Sequence, residues 1–114
     1  MAKRKSIFIT GAASGIGLET ARLFSANGWF VGITDMNEQG LKSLESEIGA
    51  ENCFAGVMDV TDPGQVRDVM AAFAQKTGGT MDALFNNAGL LCFGHFEKTD
   101  LDFENKIVDV NIKG

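Results

Sequence analysis

The stretch Thr10 to Gly17, TGAASGIG, decides how this chain folds: glycines at 11, 15 and 17 follow directly on an apolar run, four and then two residues apart. The run before it, Lys5 to Thr10 (KSIFIT), reads as a buried strand. After it Ile16, Thr20, Leu23 and Asn27 recur at helical spacing, with the apolar pair Ile16 and Leu23 two turns apart. A strand-to-helix turn this tight calls for positive backbone angles, and a pyrophosphate approaches a main chain closely only where no side chain projects. Glycine meets both needs. The unpaired N–H groups of the helix's first turn then face the anion.

Outward from that turn, the spacing predicts a first helix from about Gly15 to Asn27, ended by Gly28. Trp29 to Thr34 (WFVGIT) is nearly continuous in apolar residues, as strands buried on both faces are, and Asp35 closes it. Leu41, Leu44 and Ile48 mark a second helix terminated by Gly49, and Asn52 to Val57 (NCFAGV) a third strand running into Met58, Asp59 and Val60. Asp62, Pro63 and Gln65 form a helix start, with Val66, Val69, Met70 and Phe73 as the buried stripe and Gly78 and Gly79 as the stop. Met81 to Asn86 (MDALFN) is a fourth strand. A loop through Leu90 to Lys98 leads to a fourth helix capped by Thr99 or Asp100, with Phe103, Ile107, Val110 and Asn111 on one face. Strands alternating with helices and no hairpin signal predict right-handed crossovers into a parallel, doubly wound sheet of order 3-2-1-4, with no domain boundary inside residues 1–114.

Composition narrows the functions open to this fold. The 114 residues are 45% hydrophobic, which suits one core, and the formal charge of −5 offers no general footprint for nucleic acid or an anionic membrane. No run approaches the roughly 18 consecutive apolar residues of a membrane span. The opening MAKRK with Ile7 to Ile9 is too short in its apolar part for a secretory signal, so a cytoplasmic location is expected. Cys53 and Cys92 lie far apart without CxxC or Cys/His clustering, which argues for reduced thiols and against a metal site. His95, in the loop after NNAG, has no convincing nucleophile or metal partner and reads as a surface histidine.

The glycine spacing G-x-x-x-G-x-G departs from the G-x-G-x-x-G dinucleotide fingerprint, and taken alone it is only a glycine-rich connection. Its context points further. The motif lies between an apolar strand and a helix, and Asp35 closes the second strand at roughly the 20-residue interval where a ribose-binding carboxylate belongs. Such a carboxylate accepts hydrogen bonds from the adenosine ribose hydroxyls and repels a 2′-phosphate. With no Arg or Lys at Ser14 or Met36 to pair such a phosphate, NAD is expected over NADP.

Together, TGAASGIG at 10–17, Asp35, Asp59 with Val60, NNAG at 86–89 and VNIKG at 110–114 resemble the amino-terminal half of a short-chain dehydrogenase/reductase, over essentially the whole chain. The resemblance implies a bound nicotinamide dinucleotide and hydride transfer between an alcohol and a carbonyl compound. Gly11, Gly15 and Gly17 would form the pyrophosphate turn, with backbone contacts from Ser14 and Ile16. Asp59 would accept from the adenine amino group and the Val60 backbone would meet the ring. Asn87, Ala88 and Gly89 would lie along the cofactor, with Asn86 tying strands together. Asn111 would help hold a water in the proton path.

The family's serine, its tyrosine and the lysine four residues after that tyrosine are expected beyond Gly114, since these residues contain no tyrosine at all. The 114 residues are therefore read as the cofactor-binding part of a longer oxidoreductase, inactive alone, whose complete form takes a small alcohol or carbonyl substrate and assembles as a homo-oligomer. Two other classes compete. A non-catalytic dinucleotide-sensing module would keep the sheet without the chemistry, and a methyltransferase of similar sheet would bind S-adenosylmethionine, although its glycine spacing fits less well.

Overall fold

A computed structural model describes residues 4–87 and the backbone of 108–110. Five parallel strands stand in the order β3-β2-β1-β4-β5: β1 is Ser6–Thr10, β2 Phe30–Asp35, β3 Cys53–Val57, β4 Ala83–Asn86 and β5 Val108–Val110. Among the described residues three helices connect β1 through β4: α1 (Gly15–Ala26), α2 (Glu38–Ile48) and α3 (Pro63–Thr77), with a short 3-10 turn at Ala50–Asn52. The 3-2-1-4 order matches the doubly wound expectation, and β5 extends it.

Alternation along the strands sorts the core into two layers. Ile7, Ile9, Val31, Ile33, Cys53, Ala83 and Phe85 point to the face covered by α1 and α2, where Ala21, Leu41 and Leu44 meet them. Phe8 and Leu84 point to the opposite face, against Val66, Met70 and Phe73 of α3. On that second face Phe73 takes Phe8 edge-on at 5.2 Å and Phe30 stacked at 6.0 Å, and Gly32 leaves room for its ring. All five residues of β1 are buried, so the turn that follows it starts from a fully packed strand.

Two expectations change. Ile16 and Leu23 do not face the core but are 49% and 60% exposed, and α1 instead buries Gly17 and Ala21, with Leu18 and Phe24 half-buried beside them. Small residues four apart let the helix lie close to the sheet, which turns the longer apolar side chains outward. Val110, assigned by its spacing to a fourth helix, belongs to β5, where Val108, Asp109 and Val110 pair with Ala83, Leu84 and Phe85. β-branched residues in alternation suit a strand, and the edge of β4 supplies unpaired backbone groups for it. The remainder of the expected loop and fourth helix, 90–107 and 111–114, lies outside the described residues.

Candidate functional site

The candidate site forms where β1, β2 and β4 end, at the point where chain connections leave the sheet for opposite faces: α1 follows β1 on one face, and α3 precedes β4 on the other. Gly11 and Gly15 adopt φ of +67° and +59°, the left-handed backbone that the turn requires. Gly17 is needed for a different reason. A Cβ there would run into the Gly11 carbonyl oxygen and lie 2.9 Å from Asn87 Nδ2, so α1 closes onto the turn only because Gly17 has no side chain.

Capping distinguishes the start of α1 from the other two helices. Asn37 caps α2 by accepting from the Gly40 N–H, and Asp62 caps α3 by accepting from the Gly64 and Gln65 N–H groups. Ser14 precedes α1 in extended conformation, yet its side chain makes no capping bond. The N–H groups of Gly15, Ile16 and Gly17 therefore open the helix without an intrahelical acceptor, carrying the positive end of its dipole. Ser14, Gly15 and Ile16 are exposed there.

The turn is tied down from both neighbouring strands. From β2, Thr34 O accepts from Ala12 N at 3.0 Å, and the half-buried Asp35 accepts at Oδ2 from Ala13 N at 3.0 Å. On the β4 side, Asn87 Nδ2 donates to Gly11 O at 3.2 Å, and the buried Thr10 hydroxyl bonds Asn86 Oδ1 at 3.0 Å. Asn86 thus does tie β1 to β4. Thr34 also donates its hydroxyl to Ile9 O at 2.8 Å, so each strand end beside the turn carries a satisfied buried polar side chain.

Asp59 and Val60 follow β3, one strand beyond Asp35. Oδ1 of Asp59 accepts from both the Thr61 hydroxyl (2.7 Å) and the Thr61 N–H (2.9 Å), and these bonds hold its carboxyl below the ordinary range. Gln65, at the start of α3, donates to Asp62 Oδ2, and its own oxygen accepts from Asp59 N at 3.0 Å. The start of α3 thereby braces the Asp59 turn. Val60 packs its side chain toward the α3 layer.

Gly11, Ser14, Gly15, Ile16, Gly17, Asp35 and Asn87 are gathered at one end of the sheet, with Asp59 and Val60 alongside at the end of β3. Ala88, Gly89 and Asn111 lie outside the described residues. Sequence reasoning missed Ala13 and Thr34, whose roles depend on strand register, and Gly40, where an added Cβ would lie 2.8 Å from the Ala13 side chain. A glycine inside α2 was the one available signal for that close approach. Among the described residues no group of three or more His, Cys, Asp or Glu forms a metal site, and no helix is long and apolar enough to cross a membrane.

Comparison with known proteins gives this geometry a family. The family model for short chain dehydrogenases matches residues 5–114. An uncharacterized oxidoreductase of Staphylococcus saprophyticus is 38% identical over 112 residues, covering 98% of this chain and 45% of that protein. Among solved structures, a 3-ketoacyl-(acyl-carrier-protein) reductase from Brucella melitensis complexed with NADH aligns at TM-score 0.68 and 31% identity, over 73% of this chain and 33% of that one. A short chain dehydrogenase/reductase from Burkholderia phymatum in complex with NAD also aligns at TM-score 0.68, with 26% identity over 73% of this chain and 30% of that one. The chain spans less than half the length of the curated relatives it matches. By its strand order, its glycine turn and its match over residues 5–114, the chain belongs to the short-chain dehydrogenase/reductase family.

Proposed function

We propose that this chain is the NAD-binding part of an oxidoreductase that moves a hydride between a nicotinamide cofactor and an alcohol or carbonyl substrate. The observation that carries the reading is the uncapped N-terminus of α1 above a glycine turn, beside Asp35. A pyrophosphate fits there because it supplies the acceptors that Ser14 does not, and because the turn offers main chain rather than side chains. The NADH and NAD complexes of the two structural relatives support the same assignment.

The residue roles follow from where the groups stand. N–H groups of Gly15, Ile16 and Gly17 would hold the pyrophosphate, Asp35 the adenosine ribose, and Asp59 with the Val60 backbone the adenine. Asn87, Ala88 and Gly89 would run along the nicotinamide half, and Asn111 would hold a proton-path water. Asp59 retains an oxygen, Oδ2, without a hydrogen bond among the described residues, which suits it to an amino donor. The bound dinucleotide would supply the hydride, while these residues bind and orient it. Proton transfer needs an acid/base group that residues 1–114, having no tyrosine, do not provide in the family's form, so these residues alone should not turn over. We take the domain to be a dinucleotide-binding one completed by further chain, the complete protein to be a cytoplasmic homo-oligomer, and its substrate to be a small molecule.

NAD preference rests on Asp35, whose negative charge opposes a 2′-phosphate with no Arg or Lys at Ser14 or Met36 to offset it. Titrating the protein with NADH and NADPH tests this. NADH should bind about tenfold or more tightly, as one unfavourable charge contact of about 1.4 kcal/mol implies, and Asp35→Ala should narrow the ratio. Equal affinities would remove the preference, and binding of neither cofactor would remove the function.

A further inference from the structure

The carboxylate of Asp35 has two backbone donors, one on each oxygen. Oδ2 accepts from Ala13 N at 3.0 Å, across 22 residues, and Oδ1 accepts from Asn37 N at 3.0 Å. Ala13 lies in the middle of the glycine turn. Asn37 is the N-cap of α2, and its own Oδ1 accepts from Gly40 N at 3.0 Å. Gly40 in turn lies so close to Ala13 that a Cβ on it would be 2.8 Å from the Ala13 methyl. One side chain therefore connects the turn that starts α1 to the turn that starts α2.

We propose that Asp35 is a positioning residue for the anion-binding turn: by holding Ala13 it sets the direction of the N–H groups from Gly15 to Gly17. The proposal builds on the dinucleotide reading and adds a second task to the ribose contact. Lone pairs give it a quantitative form. A carboxylate offers about four acceptor sites, of which the backbone takes two, and the remaining two match the two hydroxyls of a ribose diol. Asparagine cannot replace it, because its amide would bring an N–H donor against the N–H of either Ala13 or Asn37. Alanine supplies no acceptor at all. Removing the charge to admit NADP therefore also loosens the turn that holds the pyrophosphate common to both cofactors.

The test separates the two tasks with a pair of probes, ADP and 2′,3′-dideoxy-ADP, the second of which keeps base and diphosphate but lacks both ribose hydroxyls. Asp35→Asn, close to isosteric, is the first variant and Asp35→Ala the second. In the ligand-free protein, amide exchange at Ala13 is measured with Ile9 in β1 as internal reference. Both variants should weaken dideoxy-ADP about tenfold, the loss expected for one hydrogen bond to a charged group, and should speed exchange at Ala13 by a similar factor while Ile9 stays protected. NADPH affinity should not rise. Unchanged dideoxy-ADP binding with unchanged Ala13 exchange would overturn the proposal and leave Asp35 acting on the ribose alone. Exchange rising equally at Ala13 and Ile9 would also overturn it, as the mark of general destabilisation. If the unsubstituted protein binds neither nucleotide, the dinucleotide reading fails, and Ala13 exchange still decides whether Asp35 holds the turn.

Discussion

Gly17 tolerates no enlargement, because the atoms its Cβ would meet first belong to the Gly11 backbone and not to a side chain that can swing away. Gly17→Ala must therefore open the turn. A cost of about 2–3 kcal/mol, in the upper range for overpacking, and loss of most NADH affinity are expected from urea denaturation and cofactor titration. Gly15→Ala is the control: no atom lies within 4 Å of its added Cβ, and only the positive φ costs, at about 1 kcal/mol. Equal effects of the two substitutions would show that the close approach at Gly17 does not matter. Cys53 sets a pH limit instead. Burial, with smaller contributions from the charges of Glu45 and Glu51, raises its thiol pKa to about 11. A pKa raised by folding means stability that is complete below the unfolded thiol value, about 8.5, and lost as pH rises toward 11. Relative to Cys53→Ala, the unsubstituted protein should therefore lose stability between pH 8.5 and 11 in urea denaturation, and parallel pH profiles would count against it. At this scale the sequence was readable where a residue's chemistry is its own, as with Asp35 at the end of its strand. Thr34 and Ala13 were not, because what they contact is chosen by the register of β1 against β2.

The three described helices differ in how they start. α2 and α3 receive side-chain caps from Asn37 and Asp62, and α1 begins at Ser14 without one. A helix start left open in this way gives up stability that a cap would provide, about 1 kcal/mol, and keeps its N–H groups for another acceptor. Ser14→Asp should reverse that exchange. Its carboxylate would cap α1 and complement the dipole, stabilising the fold by about 0.5–1 kcal/mol, while competing for the N–H groups and repelling a pyrophosphate. Urea denaturation and NADH titration on the same variant read both effects; higher stability with undiminished NADH binding would show that the anion does not use this helix start. Boundaries of α3 were legible from Asp62, Pro63 and the glycine pair, since each acts locally on the chain. The packed face of α1 was not, because Gly17 and Ala21 are too small to register as a hydrophobic stripe while the exposed Ile16 and Leu23 imitate one. Val108 to Val110 reads equally as part of a helix face and as a short alternating strand, and only the neighbouring edge of β4 decides between them.

At the scale of the molecule, the sheet formed by the described residues places its most apolar strands centrally and ends in two unlike edges. β3 is one edge, only partly buried, with Val57 half exposed. The other is formed by β5, which covers Ala83 to Phe85 of β4 through three residues of pairing. The order 3-2-1-4 was legible because alternating strands and helices with right-handed crossovers leave few other assemblies, whereas nothing local indicated what would cover β4. The burial of β4 makes that cover consequential: Ala83, Leu84, Phe85 and Asn86 are all buried, so a bare edge there would present an apolar strand with unpaired backbone groups. A chain ending at Ile107 lacks β5 and should associate through β4. Sedimentation velocity over a tenfold concentration range should show its mean sedimentation coefficient rising more steeply with concentration than that of residues 1–114. Leu84→Lys would not test this, since it would bury the charge under α3, but a peptide of the 108–110 sequence with its flanking residues, added in excess, should suppress the association by occupying the same backbone groups. If the shortened chain sediments like the longer one at every concentration, β5 is not what protects that edge.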